Sequence, residues 1–193
     1  MNNFNAYLQL GWEHILDIEG YDHMLFLVAL LALYTIRQWK PVLILITAFT
    51  IGHSITLMLA GLRGPMIDGD MVEFLIPVTI LITVMGNLLL ANKKQQKGFG
   101  WRYAMAGFFG LIHGMGFSNF FNELMGPEAE IVTPLLAFNL GIELGQIAFV
   151  LILLIIQFLL INFTRMQTRS WNLVLSGAAG GVALTLLIET YPF

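Results

Sequence analysis

The chain has 193 residues, of which 58% are hydrophobic and 11% charged, and its mean hydropathy is +0.79. A soluble domain carries about 25% charged residues, so this composition excludes a water-soluble globule as well as disordered and collagen-like chains. With no cysteine there is no disulfide, no thiolate nucleophile and no thiolate metal site, and a net charge of −3 leaves nothing basic to hold nucleic acid.

In chain order, the first 20 residues place Phe4, Tyr7, Leu8, Trp12, Ile15 and Leu16 in an amphipathic pattern, expected as a helix on the outer membrane surface. This stretch is acidic and aromatic rather than basic, so it does not read as a cleavable leader. Six apolar segments follow, at roughly Asp22–Trp39, Pro41–Leu62, Val72–Ala91, Trp101–Phe121, Thr133–Phe163 and Trp171–Ile188. A helical crossing needs about 20 apolar residues, and strands rarely exceed about ten. The expected fold is therefore all-α, a polytopic bundle of six transmembrane helices forming one membrane domain over residues 1–193.

Arg37, Lys40, Lys93, Lys94, Lys97, Arg102, Arg165 and Arg169 fall in loops of one face, against Arg63 alone on the other. The positive-inside rule then puts the basic loops in the cytoplasm and both termini outside. Glu13, Asp17, Glu19, Asp68, Asp70, Glu73, Glu123, Glu128, Glu130 and Glu189 all fall on or near the outer face. Two carboxylates, Asp22 and Glu143, are left within apolar segments.

An ionisable group in hydrocarbon costs about 2.5–3.5 kcal/mol even on a lenient scale, so each one calls for an explanation. Depth follows from a rise of about 1.5 Å per residue. Asp22 and His23 sit at the outer edge of the first segment. His53 lies 13 residues above Lys40, about 20 Å up, and His113 lies 11 residues above Arg102, about 16 Å up. Glu143 falls in the outer half of the fifth segment. Separate helices have no reason to carry such groups at one depth unless the groups meet. His14 would reach the same layer from above.

The companions of these residues are polar too. Asn139, Glu143 and Gln146 share one helix face by spacing, and Thr50, His53 and Thr56 form a stripe, as do Thr79, Thr83 and Asn87. The threonines are expected to bond their own preceding carbonyls. The glycines (Gly107, Gly110, Gly114, Gly116, Gly141, Gly145, Gly177, Gly180 and Gly181) are expected to pack helices closely, and the ten methionines to fill space.

Imidazoles and carboxylates without sulfur suit zinc, nickel, cobalt or ferrous iron. The expected ligands are His14, Asp22, His23, His53, His113 and Glu143, with Asn139, Gln146, Ser54 and Thr56 as supporting polar groups. Asp22 and His23 are about 100° apart on an ideal helix, so either one is the ligand and the other its support, or the helix starts between them.

Four ordered blocks carry a family resemblance. They are His14-Ile15-Leu16 with Gly20-Tyr21-Asp22-His23-Met24-Leu25-Phe26, then Gly52-His53-Ser54-Ile55-Thr56-Leu57, then Gly110-Leu111-Ile112-His113-Gly114-Met115-Gly116-Phe117, then Phe138-Asn139-Leu140-Gly141-Ile142-Glu143-Leu144-Gly145-Gln146. Together they resemble the HupE/UreJ family of small polytopic bacterial membrane proteins, in its second, less characterised branch. The resemblance implies an inner-membrane location and a link to metal, because better-known members are regarded as nickel permeases or accessories of hydrogenase and urease. His14 and Asp22 are separated by seven residues, a wider gap than in the nickel-branch block.

Two functions are open on the residues. One is passage of a divalent ion, nickel or zinc, from His14, Asp22 and His23 to His53, His113 and Glu143, with Asn87, Gln157 and the Thr79–Thr83 stripe as the inner-half polar groups. The other is a resident zinc that activates water against a lipid or peptide at the outer leaflet, with Glu143 or Asp22 as general base. A serine mechanism fails for want of a Gly-x-Ser-x-Gly block; Gly116-Phe117-Ser118-Asn119 does not supply one.

Overall fold

A computed structural model describes residues 3–18, 20–64, 67–91, 100–125 and 131–192. Glu19, Lys93, Lys94, Lys97, Glu128 and Glu130, used above for orientation, lie outside the described residues. The described residues form seven α-helices and no strand: α1 (Asn3–Leu16), α2 (Asp22–Leu31), α3 (Trp39–Arg63), α4 (Gly69–Leu90), α5 (Gly100–Met125), α6 (Val132–Phe163) and α7 (Thr168–Glu189). Four stretches are long and apolar enough to cross a membrane, Ile36–Arg63, Gly69–Leu90, Val132–Phe163 and Thr168–Glu189. At 26 residues α5 matches them in length, but its five glycines and its polar residues lower its hydropathy.

The first apolar segment departs from expectation. Instead of one helix over Asp22–Trp39, α2 stops after 10 residues, about 15 Å, and a turn leads into a 3₁₀ turn at Ile36–Gln38. The break is fully packed, with Ala32 and Tyr34 wholly buried. A broken helix leaves carbonyls without partners, which is costly away from water. Two amides from other helices meet that need: Asn87 Nδ2 donates to Ala29 O at 2.6 Å, and Gln157 Nε2 donates to Tyr34 O at 2.6 Å. Thr35 then caps the 3₁₀ turn with Gln38 in a reciprocal box. Asn87 and Gln157 thus hold the backbone of the α2 break, and do not stand as free polar groups on an inner route.

The bundle is built from helix pairs in backbone contact. Helix α3 lies along α5, α1 along α6, and α4 along α7, while α2 sits among α4, α6 and α7. Glycine makes the first two pairings this tight. A Cβ on Gly52 would overlap the Gly107 carbonyl oxygen, and one on Gly110 would overlap that of Phe49. In the α1–α6 pair, a Cβ on Gly11 would overlap Phe138 O and one on Gly141 would overlap Leu8 O. Helix α1 is therefore part of the packed bundle rather than a helix resting on a surface. Its Ile15 is wholly buried, while Phe4 and Trp12 remain exposed. Gly177 and Gly181 meet nothing within 4 Å, so the packing role expected of them is not seen within this chain.

These contacts set a stability order. Gly110→Ala should destabilise the α3–α5 pair by about 1–3 kcal/mol, the usual cost of overpacking, and lower the thermal midpoint in detergent followed by circular dichroism. Gly177→Ala, exposed within α7 and with open space at its Cβ, should leave that midpoint unchanged or raise it, since alanine favours the helix by about 0.5–1 kcal/mol. Gln157→Leu should also lower it, since the buried Tyr34 carbonyl loses its donor at a cost of about 1–3 kcal/mol.

Candidate metal centre

The α3–α5 pair, the α1–α6 pair and the short α2 deliver imidazoles to one place. Helix α1 carries His14 in its last turn, α2 carries Asp22 and His23 in its first, α3 carries His53 and α5 carries His113. The rings converge: His23 lies 4.6 Å from His14, 5.8 Å from His53 and 5.0 Å from His113, centroid to centroid, and His14 lies 5.9 Å from His53. Two groups of three have ligand atoms all within 4.8 Å of one another: His14, His23 and His53, and Asp22, His23 and His113. His23 belongs to both.

The surroundings are apolar. Phe117 stacks on Phe138 at 4.9 Å and lies 4.2 Å from His14. Phe26 stacks on Phe49 at 5.1 Å, and these rings lie 5.4 and 5.2 Å from His113. Burial, aided by the neighbouring His23 ring, holds the His14 imidazole well below its ordinary range, which leaves it neutral with a lone pair.

Hydrogen bonds define which nitrogens are available. Helix α2 begins at Asp22, where the carboxylate folds back so that Oδ1 accepts from His23 N at 2.8 Å and from Nδ1 at 3.0 Å. That start resolves the spacing problem, because a residue in the first turn can turn its side chain onto its successor. An ionised carboxylate only accepts, so Nδ1 is the donor in this contact, and in the neutral ring the lone pair is then on Nε2. Thr79 Oγ1 donates to Ile76 O at 2.7 Å and stands 3.3 Å from His113 Nε2. With its one proton committed, it accepts from Nε2–H and leaves the lone pair on Nδ1.

The remaining nitrogens are orphans. His14 Nε2, His23 Nε2, His53 Nδ1 and Nε2, and His113 Nδ1 are buried without a hydrogen-bond partner among the described residues. Buried polar atoms are rarely left so, and these five, which belong to four rings and offer one lone pair from each neutral ring, form a donor set that fits a divalent transition-metal ion. Thr79 is to His113 the kind of outer partner that fixes tautomer and ring direction, while Asp22, which bonds His23, also belongs to one of the two ligand groups.

Not every expected ligand is here. The Glu143 carboxylate accepts from Thr47 Oγ1 at 2.7 Å, about 9 Å along α3 from the level of His53, and belongs to neither group. Gln146 Oε1 accepts from Thr50 at 2.9 Å, Asn139 Nδ2 donates to its own Leu135 O at 2.7 Å, and Ser54 donates to Thr50 O at 2.7 Å. Thr56 donates across to Leu111 O at 2.9 Å, where it joins α3 to α5 just beyond His53. The threonines do bond preceding carbonyls, at Thr50, Thr56, Thr79 and Thr83. Ser118 is spent likewise on Met115 O at 2.7 Å. Thr79, expected among the inner-half polar groups, instead stands at the level of the cluster against His113.

Residues 1–191 match the family model described as HupE / UreJ protein. The chain belongs to the HupE/UreJ family. The match covers every helix, including α1 with His14 and the broken α2 with Asp22 and His23. No curated protein and no solved structure matches the chain.

In this HupE/UreJ protein Thr79 supports the site without belonging to either ligand group. Thr79→Val keeps the shape and removes the acceptor, so metal affinity should fall by about tenfold with the thermal midpoint little changed. Competitive titration of the detergent-purified protein against a chromophoric chelator measures this.

Proposed function

We propose that the protein binds a divalent transition-metal ion, nickel or zinc, in the outer half of a bacterial inner membrane and serves metal-ion transport. The observation that carries this reading is the set of orphaned imidazole nitrogens from α1, α2, α3 and α5 around His23. Membership of the HupE/UreJ family supports a metal as the ligand and transport as its purpose.

The proposed topology is one membrane domain with six crossings and both termini outside. The first crossing is α2 together with the packed break and the 3₁₀ turn; irregular backbone is tolerated at that depth only when protein satisfies it, as Asn87 and Gln157 do here. The lysine and arginine distribution supports the orientation. His14, Asp22, His23, His53 and His113 are the proposed ligands, and Asn139, Gln146, Ser54, Thr56 and Glu143 hold helices around them.

One observation favours a second reading, a zinc-dependent hydrolase. A cleft of about 710 Å³ opens over His14, lined by Leu10, Trp12, Glu13, Phe117 and Phe120 among others, with room for a lipid or peptide segment. In that reading Asp22, in contact with His23, is the base rather than Glu143, which is bonded to Thr47, although Asp22 does not line this cleft.

Two measurements decide. Proteoliposomes holding the wild-type chain should take up Ni²⁺ or Zn²⁺, and His53→Ala and His113→Ala should reduce uptake at least about tenfold. Tightly held zinc near one per chain after long dialysis, with no uptake, would instead favour the hydrolase. Absence of any metal binding would overturn both.

A further inference from the structure

His23 is the only residue shared by the two three-ligand groups, and neither group contains both His113 and His53 or His14. The groups also differ in their way out. The cleft of about 710 Å³ touches His14 and none of the ligands of the other group. A second cleft, about 290 Å³, touches Asp22 and is lined by Glu73, Ile76 and Pro77 of α4 and by Leu186 and Thr190. It touches no residue of the first group. Proline at 77 has no N–H, so the Glu73 carbonyl beside this cleft lacks its helical donor and adds an oxygen to the exposed Glu73 carboxylate.

We propose that the metal ion has two alternative positions hinged on His23. One lies on His14, His23 and His53 and is reached through the larger cleft; the other lies on Asp22, His23 and His113 and is reached past Glu73. This rests on the metal-binding reading above and extends it. In the first position His23 binds through Nε2 while Asp22 holds its Nδ1–H; in the second, Nδ1, 3.0 Å from Asp22 Oδ1, is the ligand atom and the proton sits on Nε2. The single lone pair of the neutral ring thus serves one ion at a time, and the two positions exclude each other. Each position alone has three protein ligands and so leaves the ion an open coordination position. Both clefts open at the same end of the bundle, so exchange between the positions is a capture and relay step at that end, not passage across the membrane. Exchange at His23 then carries the ion from one cleft to the other with no net change of charge on the protein. Glu73 is the entry carboxylate of the second position, a role that neither helix capping nor an ion pair accounts for among the described residues.

Cobalt(II) titration with visible spectroscopy tests this on the full chain in detergent. The wild type should bind one Co²⁺ per chain. His53→Gln and His113→Gln should each still bind one, with affinity lowered about tenfold, and with different spectra, because only the former keeps the ion on a carboxylate. His23→Gln should lower affinity by more than about 100-fold. Glu73→Gln should slow release of Co²⁺ to a chelator severalfold in the His53→Gln background and leave the His113→Gln background unchanged. Two ions per wild-type chain, superimposable spectra for the two variants, or an equal Glu73 effect in both backgrounds would overturn the two-position scheme while metal binding stands. No binding by the wild type would overturn the metal reading itself. If a glutamine variant elutes as aggregate, wild-type stoichiometry and a two-phase wild-type release, one phase alone slowed by Glu73→Gln, decide the matter; a single phase unaffected by Glu73→Gln counts against it.

Discussion

The imidazole cluster depends on backbones touching. The helices that carry His14, His53 and His113 approach a neighbour closer than a Cβ permits, and glycine is the residue that allows it. Gly52 and Gly110 seat α3 against α5, and the carbonyl that a Cβ on Gly110 would strike belongs to Phe49, four residues before His53. Gly114, the residue after His113, backs onto His53 itself. Gly11 and Gly141 do the same for α1 and α6, one turn before His14. The same contacts that set helix spacing therefore set ligand spacing.

A second constraint follows from interrupting α2. A short helix places its N-terminus, with Asp22 and His23, against the cluster, and the amide partners of the break come from α4 and α6. Those donors are committed to main-chain carbonyls, and Asn172 of α7 in turn donates to Asn87 O at 3.2 Å. Beneath the cluster the packing is aromatic, with Phe26 against both Phe49 and Phe109. The chemistry is thus confined to one end of the bundle, where both clefts reach it.

Much of this was legible from residue spacing. Counting helix rise from basic loops put His23, His53 and His113 in one layer, and their rings do lie around one pocket. Helix type and most boundaries followed from the length of the apolar runs. Glu143 shows where depth counting fails: on the long α6 it put the carboxylate level with the histidines, but the group meets Thr47, about 9 Å along α3 from His53. The break after Leu31 was hidden because Ala32 to Tyr34 are apolar, and only the distant Asn87 and Gln157 make a stop there tolerable. The burial of α1 was signalled by Gly11 opposite Gly141, a pairing visible only once the two helices are aligned.

The most direct test of the central claim, that these histidines jointly hold a metal, is X-ray absorption at the metal edge of the zinc- or nickel-loaded protein. For zinc, a shell of nitrogen and oxygen at about 2.0–2.1 Å with the outer-shell scattering of at least two imidazole rings is the result expected. A spectrum fitted by oxygen alone, without the imidazole signature, would contradict it.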